Sequence, residues 1–222
     1  TGDPFHSTEL FVEGAARACL VLKLAGKKPE IVNRIVPKVR AGALWLIRPD
    51  VAGPGRVTNA PYLHRHWILA SALGLAGHLT GEAALSDAAK DWAENAIPLQ
   101  RPDGVNPEKG DFDVNYQSAG IHRALRYTTV CPASLRPRVI QMIRRGLDWL
   151  LSRTNAQGVV DPTGSSRTGK EVLRSGVVKE MNYMEYLQVL CFAAQITGES
   201  RARAAAEAIR ANRRFVGPEQ LL

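Results

Sequence analysis

Cysteine, aromatic residues and long apolar runs are all scarce in this sequence, and each scarcity excludes a class of protein. There are three cysteines, Cys19, Cys131 and Cys191, and none of them forms a C-x-x-C pair. We therefore expect buried free thiols, with a single disulfide as the alternative, and not a disulfide-rich scaffold. No run of about 18 apolar residues occurs, so we expect no membrane-spanning helix.

Acidic residues are outnumbered by basic ones. The 222 residues include 29 Lys and Arg against 21 Asp and Glu, for a formal net charge of +8. This excess predicts an anionic partner, such as an acidic polysaccharide, a nucleic acid or a membrane surface. The arginine-rich segments 136–145 and 201–214 lack the interleaved aromatic residues of a single-strand binding platform. We interpret them as solvated helix faces and expect no nucleic-acid partner.

Helical periodicity dominates the chain and strand patterns are weak, which predicts an all-α fold. Hydrophobic residues make up 45% of the chain, enough for a sizeable core. The periodic segments group into four helical hairpins. The paired segments are 7–26 with 30–48, 61–81 with 83–100, 114–130 with 133–153, and 181–198 with 200–215.

The two helices of a hairpin differ in polarity. Segment 61–79 is apolar on nearly all sides, which predicts a buried inner helix, whereas segment 83–97 has one charged face and should lie outside. Inner helices around an axis, with outer helices surrounding them, describe an incomplete α/α-toroid. We predict that residues 1–222 form one such domain, with a flat α-solenoid as the structural alternative.

Long connections should join consecutive hairpins at a single end of the array. Segments 48–60, 100–113 and 154–180 are predicted to be loops, and loops on a rigid scaffold often carry function. Each is followed by polar residues and a tyrosine in the first turn of the next helix. These tyrosines are Tyr62, Tyr116 and Tyr183. They either ring the mouth of an inner cavity or merely cover the top of the core.

Two motifs have the composition of metal sites but not the spacing. "DFDVN" at 111–115 begins like a calcium loop, but Tyr116 stands where such a loop needs glycine, and His122 where it needs glutamate. His64 and His66 lie two residues apart, so on a helix they point to different sides. We expect neither a metal nor a cofactor.

The residue types at the predicted mouth fit β-elimination of a uronate. That reaction needs a group that neutralises the substrate carboxylate, a base for the C5 proton and an acid for the leaving oxygen. Asn59 or an arginine would hold the carboxylate. His64 or His66 would act as the base, and Tyr116 as the acid.

Further polar and aromatic side chains around the mouth are predicted to bind substrate. Arg123 should share a helix face with Tyr116, whereas His122 falls off that face and is predicted to be structural. The predicted substrate-binding residues are Tyr62, Arg65, Trp67, Glu108, Asp113, Asn115, Gln117, Arg123, Lys179 and Tyr183.

Two other functions are compatible with the same segments. Glu108, Asp111 and Asp113 offer the paired carboxylates of a glycoside hydrolase. Asp113, just before a helix, has helix capping as its structural interpretation. The second alternative is a basic helical-repeat scaffold without chemistry of its own.

Three short motifs follow one another along the chain. They are "DGV" at 103–105, "YQSAG" at 116–120 and "GSSR" at 164–167. Together with the hairpin array they resemble the α/α-toroid polysaccharide lyases, such as the hyaluronate, chondroitin AC and alginate lyases. In the first two, a "DGS" loop leads through a histidine to a tyrosine followed closely by glycine, and a Ser-Arg stretch comes later.

The resemblance implies roles for three residues. Asn59 would neutralise the substrate carboxylate, Tyr116 would be the acid and base, and Arg167 would bind substrate. It also implies an anionic polysaccharide as partner and favours a secreted or periplasmic location. The chain departs from the family pattern in two respects. It has no histidine between "DGV" and Tyr116, so that only His64 or His66 could act as the family's histidine. It also has no β-sandwich domain.

Overall fold

The computed structural model describes residues 3–212, and within them nine α-helices and no β-strand are present. The prediction of an all-α fold is confirmed. A single 3₁₀ turn, Ile97–Leu99, follows the fifth helix. The helices are α1 (Pro4–Leu24), α2 (Pro29–Leu46), α3 (Pro49–Asn59), α4 (Leu63–Thr80), α5 (Ala83–Ala96), α6 (Val114–Tyr127), α7 (Arg136–Ser152), α8 (Tyr183–Thr197) and α9 (Ser200–Ala211).

Local sequence signals account for many of the helix ends. The side chains of Asp3, Asp113 and Asn182 accept hydrogen bonds from free backbone N–H groups at the starts of α1, α6 and α8. Gly81 and Gly198 follow α4 and α8 in the left-handed conformation, with φ of 75° and 72°. Glycine adopts this conformation without a steric penalty, so the "LTGE" and "ITGE" segments end their helices alike.

Helix packing produces two layers. The inner helices α1, α4, α6 and α8 contact one another in chain order, and α2, α5, α7 and α9 each pack on the inner helix before them. Helix α4 is buried along most of its length. A Cβ at Gly77 would lie 2.5 Å from the hydroxyl of Ser86, so glycine permits the close approach of α4 and α5. The closure of this array into a toroid stays a prediction.

The prediction of a loop over 48–60 is wrong, because α3 fills most of that segment. Its two prolines and two glycines are typical of a loop. Pro49 stands in the first turn, where its missing N–H costs nothing, and Asp50 there complements the helix dipole. The ring of Phe5 packs so closely on Gly55 that a Cβ would lie 2.4 Å from it. Tertiary packing therefore outweighs the composition.

Smaller differences concern helix ends and thiols. Helix α1 begins three residues before the predicted segment, at Pro4, while the last residues of the fourth predicted hairpin, 213–215, lie outside the described residues. All three thiols are free, but Cys191 is only half-buried. None of the described helices is both long and apolar enough to cross a bilayer.

Candidate functional site

The segments that precede α6 and α8 meet the start of α4. Tyr62 and Glu108 form an isolated antiparallel bridge. The backbone N–H of Ser166 donates to the carbonyl of Phe112 at 2.8 Å. These contacts bring the residues around the starts of three inner helices to one end of the molecule.

Asp113 is the anchor of this assembly. It is fully buried, and its Oδ1 accepts from the backbone N–H groups of Asn115 and Tyr116, the first turn of α6. Its Oδ2 accepts from the backbone N–H groups of Arg167 at 3.0 Å and Thr168 at 2.6 Å. One carboxylate thus caps α6 and fixes the segment that carries Arg167.

Asn115 makes a second link between the same segments. Its amide donates to the carbonyl of Glu180 at 2.6 Å and to the hydroxyl of Thr168 at 3.1 Å. Its carbonyl accepts from the backbone N–H of Asn182 at 2.6 Å. Asn115 and Asp113, both predicted to bind substrate, are buried and hydrogen-bonded within the protein.

Tyr116 lies at the centre of the site, half-buried and surrounded by basic side chains. The ring of His64 stacks on it with centroids 4.3 Å apart. The guanidinium of Arg167 lies 4.4 Å from the ring centroid. Lys179 Nζ donates to the phenolic oxygen at 2.6 Å. The structure therefore joins Tyr116 with two other predicted catalytic residues and one predicted binding residue.

Glu108 is a buried carboxylate that contacts both His64 and Arg167. Its side chain is 1% exposed, with Oε2 2.8 Å from His64 Nδ1 and Oε1 3.4 Å from Arg167 Nη1. A carboxylate in this position holds the imidazole as the tautomer with the proton on Nδ1. The basic lone pair of a neutral His64 is then on Nε2.

Burial and charge set the protonation of these groups. Burial lowers the pKa of His64, against the opposing effect of Glu108, so the imidazole is neutral at neutral pH. Burial also tends to lower the pKa of Arg167, but its hydrogen bonds to Glu171 and the negative charges around it raise that pKa overall. The site thus combines a neutral base with a permanent cation.

Glu171 is a member of the site that the sequence analysis missed. It accepts two hydrogen bonds from Arg167, at 2.9 and 2.8 Å, and lies 3.4 Å from Lys179. Its side chain is about one third exposed. The four-residue spacing from Arg167 was a usable signal for such a pair, but that spacing is informative only in a helix, and this segment is a loop.

The second predicted histidine lies elsewhere. His66 packs edge-on against Trp92, with ring centroids 5.2 Å apart, and burial lowers its pKa to about 4. Of the two histidines, His64 is the one beside Tyr116. Trp67 is fully buried in the core.

Asn59, Arg65 and Tyr62 belong to a neighbouring cluster. Asn59 is fully buried; its amide donates to Glu9 at 3.3 Å and its carbonyl accepts from Arg65 at 3.2 Å. Arg65 in turn lies over the ring of Tyr62 at 4.5 Å. Both polar groups of the Asn59 side chain thus have protein partners. A role of Asn59 in holding substrate stays a prediction.

Glu9 is the unexpected member of that cluster. It is fully buried and paired with His6, and burial raises the pKa of its carboxyl to about 6, against the lowering effect of His6. The sequence did offer a signal, since Glu9 shares the apolar helix face of Phe5, Val12 and Ala16.

The remaining predicted residues are held by other contacts. Gln117 is buried, accepts from the N–H of Asn106 and donates to the carbonyls of Gly104 and Gly146. Arg123 pairs with Glu185 at 2.7 Å. Gln117 follows Tyr116 directly in the first turn of α6, whereas Arg123 lies about two helical turns further along the helix.

A hollow of about 500 Å³ opens beside the Tyr116 site. Lys179 and Thr168, which both contact the site, form part of its wall, and so does Tyr183, whose hydroxyl accepts from the N–H of Val160 at 3.1 Å. Its wall is mixed in character, with Val160, Met181 and Met184 adding apolar surface. The hollow offers room for a ligand on the side of Lys179, whose ammonium group reaches the Tyr116 hydroxyl, although Tyr116 itself does not line it.

Within residues 3–212, no group of His, Cys, Asp and Glu side chains is arranged to hold a metal ion. No family model matches this chain, and comparisons with curated proteins and with solved structures return no match. Any function must therefore be argued from the geometry of the site itself.

Proposed function

We propose that the site around Tyr116 cleaves an acidic, uronate-containing polysaccharide by β-elimination. The observation that carries this proposal is the position of Tyr116, whose ring lies against His64 while its hydroxyl is bonded to Lys179 at 2.6 Å. A half-buried phenol, a buried neutral imidazole and two partly exposed cations meet there, and they can supply an acid, a base and charge stabilisation.

Each group has a defined part in the proposed reaction. Nε2 of His64 takes the C5 proton of the uronate, the C4–O bond breaks, and a C4–C5 double bond forms. Tyr116 gives its hydroxyl proton to the departing oxygen. Arg167 stabilises the negative charge that develops on the substrate carboxylate. Exchange of protons with water then returns His64 and Tyr116 to their starting states.

The substrate carboxylate has a natural place in this arrangement. Glu171 lies between Arg167 and Lys179, and about one third of its side chain is exposed. A uronate carboxylate has the same charge and geometry, and it can replace Glu171 as the partner of both cations. The proposed binding step is this exchange.

Hydrolysis by paired carboxylates has less support. Asp113 is buried and accepts hydrogen bonds with both of its oxygens, and Glu108 is held between His64 and Arg167. Asp111 is exposed on the other side of the same turn and pairs only distantly with Arg101, at 3.9 Å. No two of these three carboxylates face a common open space as free groups.

The test is incubation with alginate, hyaluronate and polyglucuronate while the ultraviolet absorbance of the new double bond is followed. We expect absorbance to rise on at least one polymer, and Tyr116→Phe to abolish that rise without unfolding the protein. Tyr127→Phe is the matched control, because it removes a buried hydroxyl of α6 that has no hydrogen-bond partner among the described residues.

Other results would select the alternatives. New reducing ends without absorbance would indicate a hydrolase. Salt-sensitive binding of the polymers without any cleavage would indicate a scaffold that only binds.

A further inference from the structure

A second cavity lies on the inner layer, away from the Tyr116 site. It has a volume of about 470 Å³, and its wall includes residues of all four inner helices, α1, α4, α6 and α8. The polar and aromatic residues that matter here are Arg17, His122, Arg126, Gln188, Phe192 and Gln195. Within the described part of the chain, no carboxylate belongs to the wall.

The position of this cavity separates it from the proposed reaction centre. His122 and Arg126 follow Tyr116 on α6 by six and ten residues, which corresponds to a rise of about 9 and about 15 Å along the helix. Two to three helical turns therefore lie between the Tyr116 hydroxyl and the cavity. A ligand here would not touch the reacting groups.

Carboxylates behind the wall orient its basic side chains. Glu13 is buried and accepts from Arg126 Nη1 at 2.7 Å. Glu185 lies 3.2 Å from His122 Nδ1 and 2.7 Å from Arg123 Nη1. These contacts fix Arg126 and His122 before any ligand arrives, which reduces the entropic cost of binding.

Positive charge remains in excess at this point. Arg123 pairs with Glu185 and Arg126 with Glu13, whereas Arg17 has no carboxylate partner among residues 3–212. Burial lowers the pKa of Arg126, Glu13 opposes that effect, and the nearby charges of Arg123 and Arg17 add to it. Like charges gathered in a cavity favour an anionic ligand.

We propose that this cavity is a binding site for an oxyanion, a carboxylate or sulfate group, held by Arg17 and Arg126. The amides of Gln188 and Gln195 can donate further hydrogen bonds to it, and Phe192 with Leu75 provides an apolar surface for a carbon skeleton. The oxyanion is either a free small molecule or a group carried on an acidic polysaccharide. The site does not depend on the function proposed for Tyr116.

The test measures the binding of sodium sulfate, glucuronate and a glucuronate oligosaccharide by calorimetry and by NMR shifts of backbone amides. We expect saturable shifts at residues 17, 122, 126 and 188, and an affinity about tenfold weaker in Arg17→Gln, because a charge-assisted hydrogen bond is lost. Gln188→Ala should weaken binding less. Arg138→Gln, which removes an exposed charge from α7, is the matched control.

The results separate the two ligand sources and the two proposals. If the oligosaccharide binds much more tightly than sulfate, and Arg17→Gln abolishes this difference, the ligand is a group on a polymer. If sulfate and glucuronate bind with similar affinities, the ligand is a free oxyanion. Equal affinities of Arg17→Gln and Arg138→Gln would overturn the proposal. Tyr116→Phe should leave the amide shifts at residues 17, 122, 126 and 188 unchanged, and these shifts are independent of any uronate bound beside Tyr116, so failure of the elimination reaction does not affect this test.

Discussion

His64 and Tyr116 lie face to face, with ring centroids 4.3 Å apart and ring planes inclined by 30°. They are 52 positions apart in the chain, on two inner helices that pack directly on each other. Gly120 lies at this contact: a Cβ there would lie 3.4 Å from the backbone of His64, an ordinary contact, and 3.2 Å from the side-chain amide of Asn106, which would be crowded. The pair holds a neutral base next to a phenol.

Lys179→Met should slow the proposed elimination strongly while leaving the fold intact. The ammonium group donates to the Tyr116 hydroxyl, and removing one such donor from a reaction centre costs about a hundredfold in rate. Steady-state kinetics on the cleaved polymer should show the loss in kcat. Lys170→Met is the control, since Lys170 is exposed in the same segment. Equal rates for both variants would remove Lys179 from the mechanism.

Glu171→Gln should lower KM without a comparable change in kcat. Glu171 holds Arg167 and Lys179 in the absence of substrate, and an uncharged glutamine competes less well with an incoming carboxylate. The measurement is the substrate dependence of the initial rate. A higher KM would show instead that Glu171 positions the two cations for binding.

Glu108→Gln should destabilise the protein by about 3 kcal/mol, since it removes a buried charge that pairs with His64 and Arg167. The pKa of His64 should fall further, because Glu108 is the group that opposes its lowering by burial. Urea unfolding and NMR titration of the imidazole measure the two effects. Glu171→Gln, at a more exposed ion pair, should cost less than about 1 kcal/mol.

Asp113→Ala should destabilise the fold by about 3 kcal/mol. The substitution removes the cap of α6 and leaves the N–H groups of Arg167 and Thr168 without their acceptor. Urea unfolding gives the free energy. Asp113→Asn keeps one acceptor oxygen and should recover part of the loss, an outcome that a purely electrostatic role would not produce.

Glu9→Gln should change how stability depends on pH. The folded-state pKa of Glu9 is about 6 against an ordinary 4.5, so the folded protein holds this proton more tightly. Stability contributed by the protonated carboxyl is full below about pH 4.5 and is lost as the pH rises to about 6. The loss amounts to about 2 kcal/mol.

Thermal or urea unfolding across that interval measures the effect. The free energy of unfolding of Glu9→Gln, relative to that of the natural protein, should rise by about 2 kcal/mol as the pH increases from about 4.5 to about 6. A constant difference at all pH values would show that Glu9 titrates normally in the folded state.

The helices were predictable because their signals are local. Apolar residues at helical spacing and left-handed glycines at 81 and 198 depend on a few neighbouring residues. Segment 49–59 was mispredicted for the complementary reason. Its helix packs on Phe5 at Gly55, and this contact joins residues 50 positions apart that no local pattern connects.

The candidate site was predictable only in part. The position of Tyr116 after a polar segment indicated a functional residue, and the polar residues around it were recognisable as candidates. The sequence did not show which of these residues would face a ligand and which would hold the protein backbone. Asp113, Asn115 and Gln117 have the same polar character as Lys179, yet the structure uses them to join segments of the backbone.

The sequence by itself determined all the described helices except α3, their inner or outer place and the excess of positive charge, because these follow from composition and from periodicity along the chain. Only the tertiary structure decided which histidine faces Tyr116, where Arg167 and Glu108 meet, and which carboxylates are buried. Those outcomes depend on contacts between residues about 40 to 60 positions apart, and such contacts form only when the inner helices pack together.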